Sequence, residues 1–544
     1  MSSQTLTNAI LLIAQQFGSR CLTFLANQIL LRYLSPEILG ISTQLELYSV
    51  TVLFFSRESL RITLQRHQID PSVIHHSHPK PITKENGVNG SVNSQTAAGQ
   101  IQAAVNLAYI SLALGITLSF TLAWLFLGSL SNRDSTIVEV PFLKMSLILF
   151  GGASILELLA EPCYVVVQLK SRQYIRIASE STATVLRCVV TCISAIYGFN
   201  IGLDIGVLPF ALGQLAYSIS LVILYYWKVT KMSSKEGFSL LPRSIQLSKT
   251  RPTKFLFSYF SHPVLSLCQS FFIQSLFKYV LTQGDTFIIS ILASPNIQGI
   301  YSLANNYGGL VARLILQPIE EISRNYFGKL LSTTNKNSQQ VILKVQKSLL
   351  QSLYTYLIFS IFVVSLGPTA APLILKIIAG HSWSKTGAGK VLALYCYYIP
   401  LLAINGIVEA FVSSVATESE VHQQTAWMLL FSIIFSGAAF IFLKVYQLGA
   451  QGIVVANSIN MIFRIIWAII FIKSYLWRWK VDLKLNTLIP RPLTLSTGVV
   501  VSAIFTQIEI GDDGLSSLFK IAATAGILFV FMYVNLSAYF FKKF

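Results

Sequence analysis

The chain has 544 residues, of which 53% are apolar and only 11% charged, whereas soluble globular proteins carry about 25% charged residues. That balance excludes a soluble globular protein and marks an all-α integral membrane protein, because unpaired backbone cannot face lipid. The net charge of +18 does not call for nucleic acid as a partner, since its Lys and Arg residues crowd into the loops of one side, as the positive-inside bias requires.

A hydrocarbon core of about 30 Å takes about 20 helical residues to cross. About fourteen apolar segments meet that length, centred near 20, 50, 115, 155, 185, 215, 280, 310, 360, 402, 435, 462, 499 and 529. The first is long, polar-studded and followed by further spans, so it is read as a retained span and not as a cleaved signal peptide. Loop charge at Arg66, Lys80 and Lys84, at Lys170, Arg172 and Arg176, and from Lys228 to Lys254 puts both termini in the cytosol. The six cysteines fall inside predicted spans without metal-ligand spacing across loops, so they read as small buried membrane residues and no metal or cofactor is expected.

Taken in chain order, the first two segments stand out: they carry Arg20, Arg32, Glu46, Arg57, Glu58 and Arg61. A charge facing lipid at mid-membrane costs at least about 2.5 to 3.5 kcal/mol, so this set predicts the wall of a cavity. Next comes a polar loop over 65–99 with His75, His76 and His78 and the sequon Asn89-Gly90-Ser91, which faces the wrong side for glycosylation on this topology. The fourth segment holds Glu157 and Glu161, four apart. They read either as a proton or sodium site or as partners of Arg187 in the fifth segment. A connector over 229–262 mixes Lys231, Lys235, Arg243, Lys249, Arg251 and Lys254 with Phe238, Leu240, Leu241, Ile245 and Leu247. It suits an interfacial segment on an anionic leaflet, or equally a solvated linker. Beyond it, the seventh and eighth segments carry Lys278, Asp285, Asn305, Asn306, Arg313, Gln317, Glu320 and Glu321.

An internal repeat organises these elements. Ser35-Pro36, Gly40, Ile41 and Tyr48 recur 259 residues later as Ser294-Pro295, Gly299, Ile300 and Tyr307, with a weaker echo of Glu161 in Glu409. Repeat units with an even number of spans have the same orientation. The expected architecture is two parallel, pseudo-symmetric six-helix lobes around a central cavity, over 1–228 and 263–478, with two further helices over 479–544.

Transporter sites of this kind lie near the midplane between repeats. Arginine presents a planar fork to phosphate oxygens and stays charged when buried. Arg20, Arg57, Arg61 and Arg313 therefore form a candidate clamp for an anionic head group, with Lys278 lining the same cavity. Glu46, Glu58, Asp285, Glu320 and Glu321 are the polar or charge-pairing residues around it. The sequence has no phosphate-binding Gly-rich loop, nucleophile elbow or His-Glu-x-x-His, and no catalytic residues are assigned.

The block Gly18-Ser19-Arg20, Leu22, Phe24, Asn27-Gln28, Leu31-Arg32-Tyr33-Leu34-Ser35-Pro36-Glu37, with Phe55-Ser56-Arg57-Glu58-Ser59-Leu60-Arg61 and Gly299-Ile300-Tyr301, resembles the RFT family of oligosaccharide translocation proteins. These belong to the dolichol pathway of the endoplasmic reticulum. The resemblance implies a multi-pass protein of that membrane. Its substrate would be dolichyl pyrophosphate bearing five mannoses and two N-acetylglucosamines, carried from the cytosolic to the lumenal leaflet for N-glycosylation. It also leaves room for contacts with other proteins of that pathway. The alternatives are a glycolipid-binding accessory protein that moves nothing, and an ion-coupled small-molecule antiporter. The family is similar to the multidrug, oligosaccharidyl-lipid and polysaccharide exporters. The bacterial murein-lipid flippase among them has a cavity arginine in a Ser-Arg-x-Leu-x-Phe stretch, which is Ser19-Arg20-Cys21-Leu22-Thr23-Phe24 here. A second cavity arginine of that flippase falls on Ala26, so its anion clamp is not carried over whole.

Overall fold

The computed structural model describes residues 22–66, 92–93, 97–131, 140–170, 172–236, 238–246, 255–332, 339–380, 385–483, 485–490 and 492–507, together with Gly18, Trp383, Ala523, Ala525 and Gly526. The helices are α1 (Leu22–Leu31), α2 (Pro36–Arg66), α3 (Ala97–Ser131), α4 (Leu143–Leu159), α5 (Glu161–Leu169), α6 (Gln173–Ile201), α7 (Leu208–Glu236) and α8 (His262–Leu292). They continue with α9 (Pro295–Val311), α10 (Gln317–Ser332), α11 (Gln339–Ala379), α12 (Ala388–Val415), α13 (Glu418–Phe440), α14 (Gly449–Trp477) and α15 (Pro492–Gln507). A π-helical turn, Ala312–Leu316, joins α9 to α10, and another, Ile441–Val445, extends α13.

Among the described residues ten helical stretches are long and apolar enough to cross a membrane. They cover ten of the fourteen expected centres. At the other four, α1 and α15 show 10 and 16 described residues, α9 and α10 are separated by the π turn, and 529 lies outside the described residues. The described residues fall into two compact units. One lies within Met1–Tyr33 and Ile41–Thr282, the other within Leu34–Gly40 and Gln283–Phe544.

In the first unit, α3, α5, α6 and α7 close around Ile101, Val105, Cys163, Tyr164, Val166, Ile175, Tyr225 and Val229. The helix that began at Leu143 breaks at Ala160, where Pro162 opens α5. Proline has no N–H for the preceding turn, and the Tyr226 hydroxyl donates to the Leu159 carbonyl at the break (3.1 Å). Part of the connector packs onto this core. Phe238 and Leu240 are buried in this core, and two amides on α3, Gln102 and Asn106, are 0% and 1% exposed and grip its backbone. Gln102 donates to the Leu241 carbonyl (2.9 Å) and accepts from the Ser239 N–H (2.8 Å). Asn106 donates to the carbonyls of Arg243 (2.8 Å) and Tyr259 (3.0 Å) and accepts from the Arg243 N–H (3.1 Å). Strand β1 (Val92–Asn93) pairs in parallel with β2 (Ile245–Gln246), and β3 (Phe255–Leu256) pairs antiparallel with β4 (Phe260–Ser261).

In the second unit, α10, α11, α12 and α14 pack around Phe327, Val345, Leu349, Ile407, Phe411 and Ile472. The two copies of the repeat meet there. Ser35 and Ser294 each accept a hydrogen bond from a backbone N–H three residues on, with proline at the next position, which is how a helix start is specified. A Cβ on Gly40 would overlap the Pro295 carbonyl, and one on Gly299 would overlap the Pro36 carbonyl.

Two outcomes follow for variants. Gly40→Ala and Gly299→Ala each force the helix starts apart and are expected to abolish recovery of folded protein in detergent. Gly152→Ala, with nothing within 4 Å of the added carbon, behaves as wild type. Asn106→Leu strands buried backbone groups at about 1 to 3 kcal/mol each, so it lowers the melting temperature and opens 238–261 to limited proteolysis. Intact resistance in that variant would show that the grip does not hold the connector.

Candidate functional site

The charges of α2 are not a row of free cations. Arg57 and Arg61, one turn apart, meet Glu157 and Glu161, one turn apart at the α4–α5 break. Arg57 Nη1 lies 2.7 Å from Glu157 Oε1 and 3.5 Å from Glu161 Oε1. Arg61 binds Glu161 through both Nη2 and Nε, the latter at 3.3 Å. Its guanidinium lies 3.9 Å from the centre of the Tyr164 ring, so one face stacks on an aromatic. The side chains of Glu161 and Glu157 are 1% and 6% exposed. Buried charges persist only when paired and hydrogen-bonded, and this quartet meets that condition with zero net charge.

The pairing differs from the sequence expectation. Arg187 does not serve Glu157 or Glu161. Its Nη2 lies 3.3 Å from Glu46 Oε1, and Glu58 takes Lys278, at 2.5 Å. Spacing of four identifies residues that share a face but not the helix that face meets. Here α2 presents Arg57 and Arg61 to the carboxylates, leaving Arg187 on α6 to Glu46. Tyr217 on α7 sits in the combined field of Glu157, Glu180, Arg57 and Arg187. It was not singled out from the sequence, because a tyrosine in an apolar span carries no local signal.

The second unit holds its own polar groups. Arg464 on α14 reaches Glu409 (3.3 Å), which also accepts from Asn405 (2.9 Å). Asp285 interacts electrostatically with Arg464. Asn457 donates to the Tyr301 hydroxyl (2.8 Å) and Tyr395 to Asn305 (2.9 Å). Glu320 pairs with Arg324 (2.8 Å), and Glu321 accepts from Gln317 (3.3 Å). Arg313 lies in the π turn, and its side chain is outside what the structure describes. Arg20 lies outside the described residues, as do His75, His76 and His78. Among the described residues no group of three His, Cys, Asp or Glu is placed to hold a metal. Arg464 and the amides around it escaped the sequence reading; a charge in the twelfth apolar segment was the available signal.

Ten helices among the described residues are long and apolar enough to cross a membrane, with charge pairs along them, and define a multi-pass membrane protein; its fold resembles those of two solved transporters. It is similar to the lipid II flippase MurJ in its inward closed conformation (TM-score 0.61, 13% identity, 98% of this chain and 99% of that one). It is also similar to an inward-facing multidrug resistance MATE family transporter (0.58, 14%, 85% and 95%). The Rft protein family model matches residues 4–542, and the chain belongs to that family. Relatives called Man(5)GlcNAc(2)-PP-dolichol translocation protein RFT1 include those of Yarrowia lipolytica, 34% identical over 91% of this chain and 74% of the relative, and of Saccharomyces cerevisiae, 33% over 86% and 82%. The Xenopus tropicalis relative is 28% identical over 90% and 86%.

The quartet makes a sharp stability statement. Breaking a buried pair by removing one partner costs about 3 to 5 kcal/mol, so Glu161→Gln should lower the melting temperature steeply in detergent. Adding Arg61→Met should recover most of the loss. A double variant as unstable as the single would mean that Glu161 is held by something other than Arg61.

Proposed function

We propose that this chain translocates Man(5)GlcNAc(2)-PP-dolichol from the cytosolic to the lumenal leaflet of the endoplasmic reticulum membrane, supplying N-glycosylation. The observation that carries the reading is the family match over residues 4–542, with relatives of that name aligned along nine-tenths of the chain. A lipid flippase must shield a polar head from hydrocarbon while the tail stays in lipid, and charge pairs inside membrane-crossing helices supply polar wall for that purpose.

In this reading the protein has fourteen spans in two parallel six-helix lobes over 1–228 and 263–478, joined by 229–262 and followed by 479–544, with both termini cytosolic. The head group binds in a cavity lined by Arg20, Arg57, Arg61, Lys278 and Arg313, with Glu46, Glu58, Asp285, Glu320 and Glu321 as balancing charge. Glu157 and Glu161 act as the counter-charges of Arg57 and Arg61, a role that fits their contacts better than an ion site does.

Vesicles reconstituted with the purified protein and labelled Man(5)GlcNAc(2)-PP-dolichol test this directly. Label should become accessible on the opposite face at a rate that scales with protein per vesicle. Binding without protein-dependent movement would instead establish a glycolipid-binding accessory protein.

A further inference from the structure

The charges of the first unit form a ladder of alternating sign on one side of α2: Arg61, Glu161, Arg57, Glu157, then Arg187 and Glu46. Eleven residues of helix, about 16 Å at 1.5 Å per residue, separate Arg57 from Glu46. Exposure changes along it. Glu161 is 1% exposed, while Glu46 and Arg187 are 58% and 38% exposed. Arg187 is the middle residue of its membrane-crossing stretch, Tyr174–Ile201, so an exposed ion pair at that depth must reach water and not lipid.

The two ends differ in what an arriving anion can do. Phosphate that took Arg61 or Arg57 would leave Glu161 or Glu157 as an uncompensated buried carboxylate, which is strongly unfavourable. Phosphate that took Arg187 would release Glu46 into water, where exposed pairs are worth about 0 to 1 kcal/mol. Nη2 is the one Arg187 donor with a partner among the described residues, so the rest of its fork is available for the two-point contacts that phosphate oxygens accept. The helix that carries Arg187 lies close against α7: a Cβ on Gly213 would come within 3.1 Å of the Arg187 backbone carbonyl, to which Thr191 donates (2.8 Å).

We propose that Arg187 is the pyrophosphate-binding arginine of the first unit and that Glu46 is a place-holder which the pyrophosphate displaces into water. The inference rests on the translocation reading above and changes its residues: Arg57 and Arg61 build the wall, and Arg187 takes the anion.

The test is equilibrium binding of labelled Man(5)GlcNAc(2)-PP-dolichol to the full-length protein in nanodiscs, with inorganic pyrophosphate as competitor. Arg187→Gln should weaken binding by about tenfold or more and blunt competition by pyrophosphate. Glu46→Gln should tighten binding a few-fold, because the competing carboxylate is gone, and the double variant should match Arg187→Gln alone. A merely structural pair predicts otherwise: both single variants weaken binding and Arg187→Glu with Glu46→Arg restores it. That pattern, or unchanged binding in Arg187→Gln, overturns the assignment while leaving the translocation reading standing. Arg187→Lys, which keeps the charge, guards against a folding defect, since it should retain more affinity than Arg187→Gln at equal melting temperature. Equal losses in the two variants overturn the proposal. No binding by wild type above empty nanodiscs would overturn the translocation reading itself, and this inference with it.

Discussion

A charge inside hydrocarbon must be neutralised or hydrated, and the first unit is arranged around that requirement. The arginines of α2 bring two carboxylates to the α4–α5 break, and the break is itself made tolerable by Tyr226, whose hydroxyl takes the Leu159 carbonyl. Tyr164, one turn past Glu161, covers the face of Arg61. Sequence therefore acts here in pairs of turns: two arginines four apart meet two glutamates four apart, and a proline between the glutamates and the rest of α5 sets the angle at which they meet.

The repeat shows which features the backbone demands and which it leaves free. Ser-Pro starts both helices, and the glycines five residues after each serine let each helix approach the other's first carbonyls; a side chain at either glycine removes the contact. Charge obeys no such copying. The position 259 residues after Arg61 is Glu320, which pairs with Arg324 on its own helix. Glu409, the echo of Glu161, finds Arg464 on α14 instead of an arginine on α9 or α10. The frame is duplicated, but each half meets the same electrostatic requirement with different partners.

This separation explains how far the sequence could be read. Hydropathy located the ten helices that, among the described residues, are long and apolar enough to cross a membrane, because twenty apolar residues in a row have one stable use. Charges within the first two segments pointed to polar partners inside the protein, because lipid would not tolerate them, and those of α2 do have such partners. Partner choice was not legible: the sequence offers Glu157 and Glu161 either an ion or Arg187, whereas helix rotation gives them Arg57 and Arg61. The hold on the connector was not legible either. Its lysines suggested a surface segment, while the residues that hold it are Gln102 and Asn106, two amides four apart in an apolar stretch whose need for buried partners is visible only when burial is known. Arg20 is a candidate from sequence alone, since it lies outside the described residues.

Exposure, more than the presence of an arginine, decides which ion pairs can exchange partners. A pair whose carboxylate is sealed by protein, such as Glu161 with Arg61, is fixed because separating it leaves that carboxylate with no solvent to receive it. A pair open to water, such as Arg187 with Glu46, is held weakly enough for a phosphate to compete. The pairs of the second unit lie between these limits: Arg464 and Glu409 are each partly exposed, and Arg464 Nε is buried without a hydrogen-bond partner among the described residues. A head group carrying several negative charges needs a wall that does not rearrange and a few cations that can let go of their carboxylates. In one unit of this chain the two kinds stand about three helical turns apart along α2, at Arg57 and at Glu46 opposite Arg187. Binding can then exchange a partner at one point while the charges that keep the helices packed stay where they are.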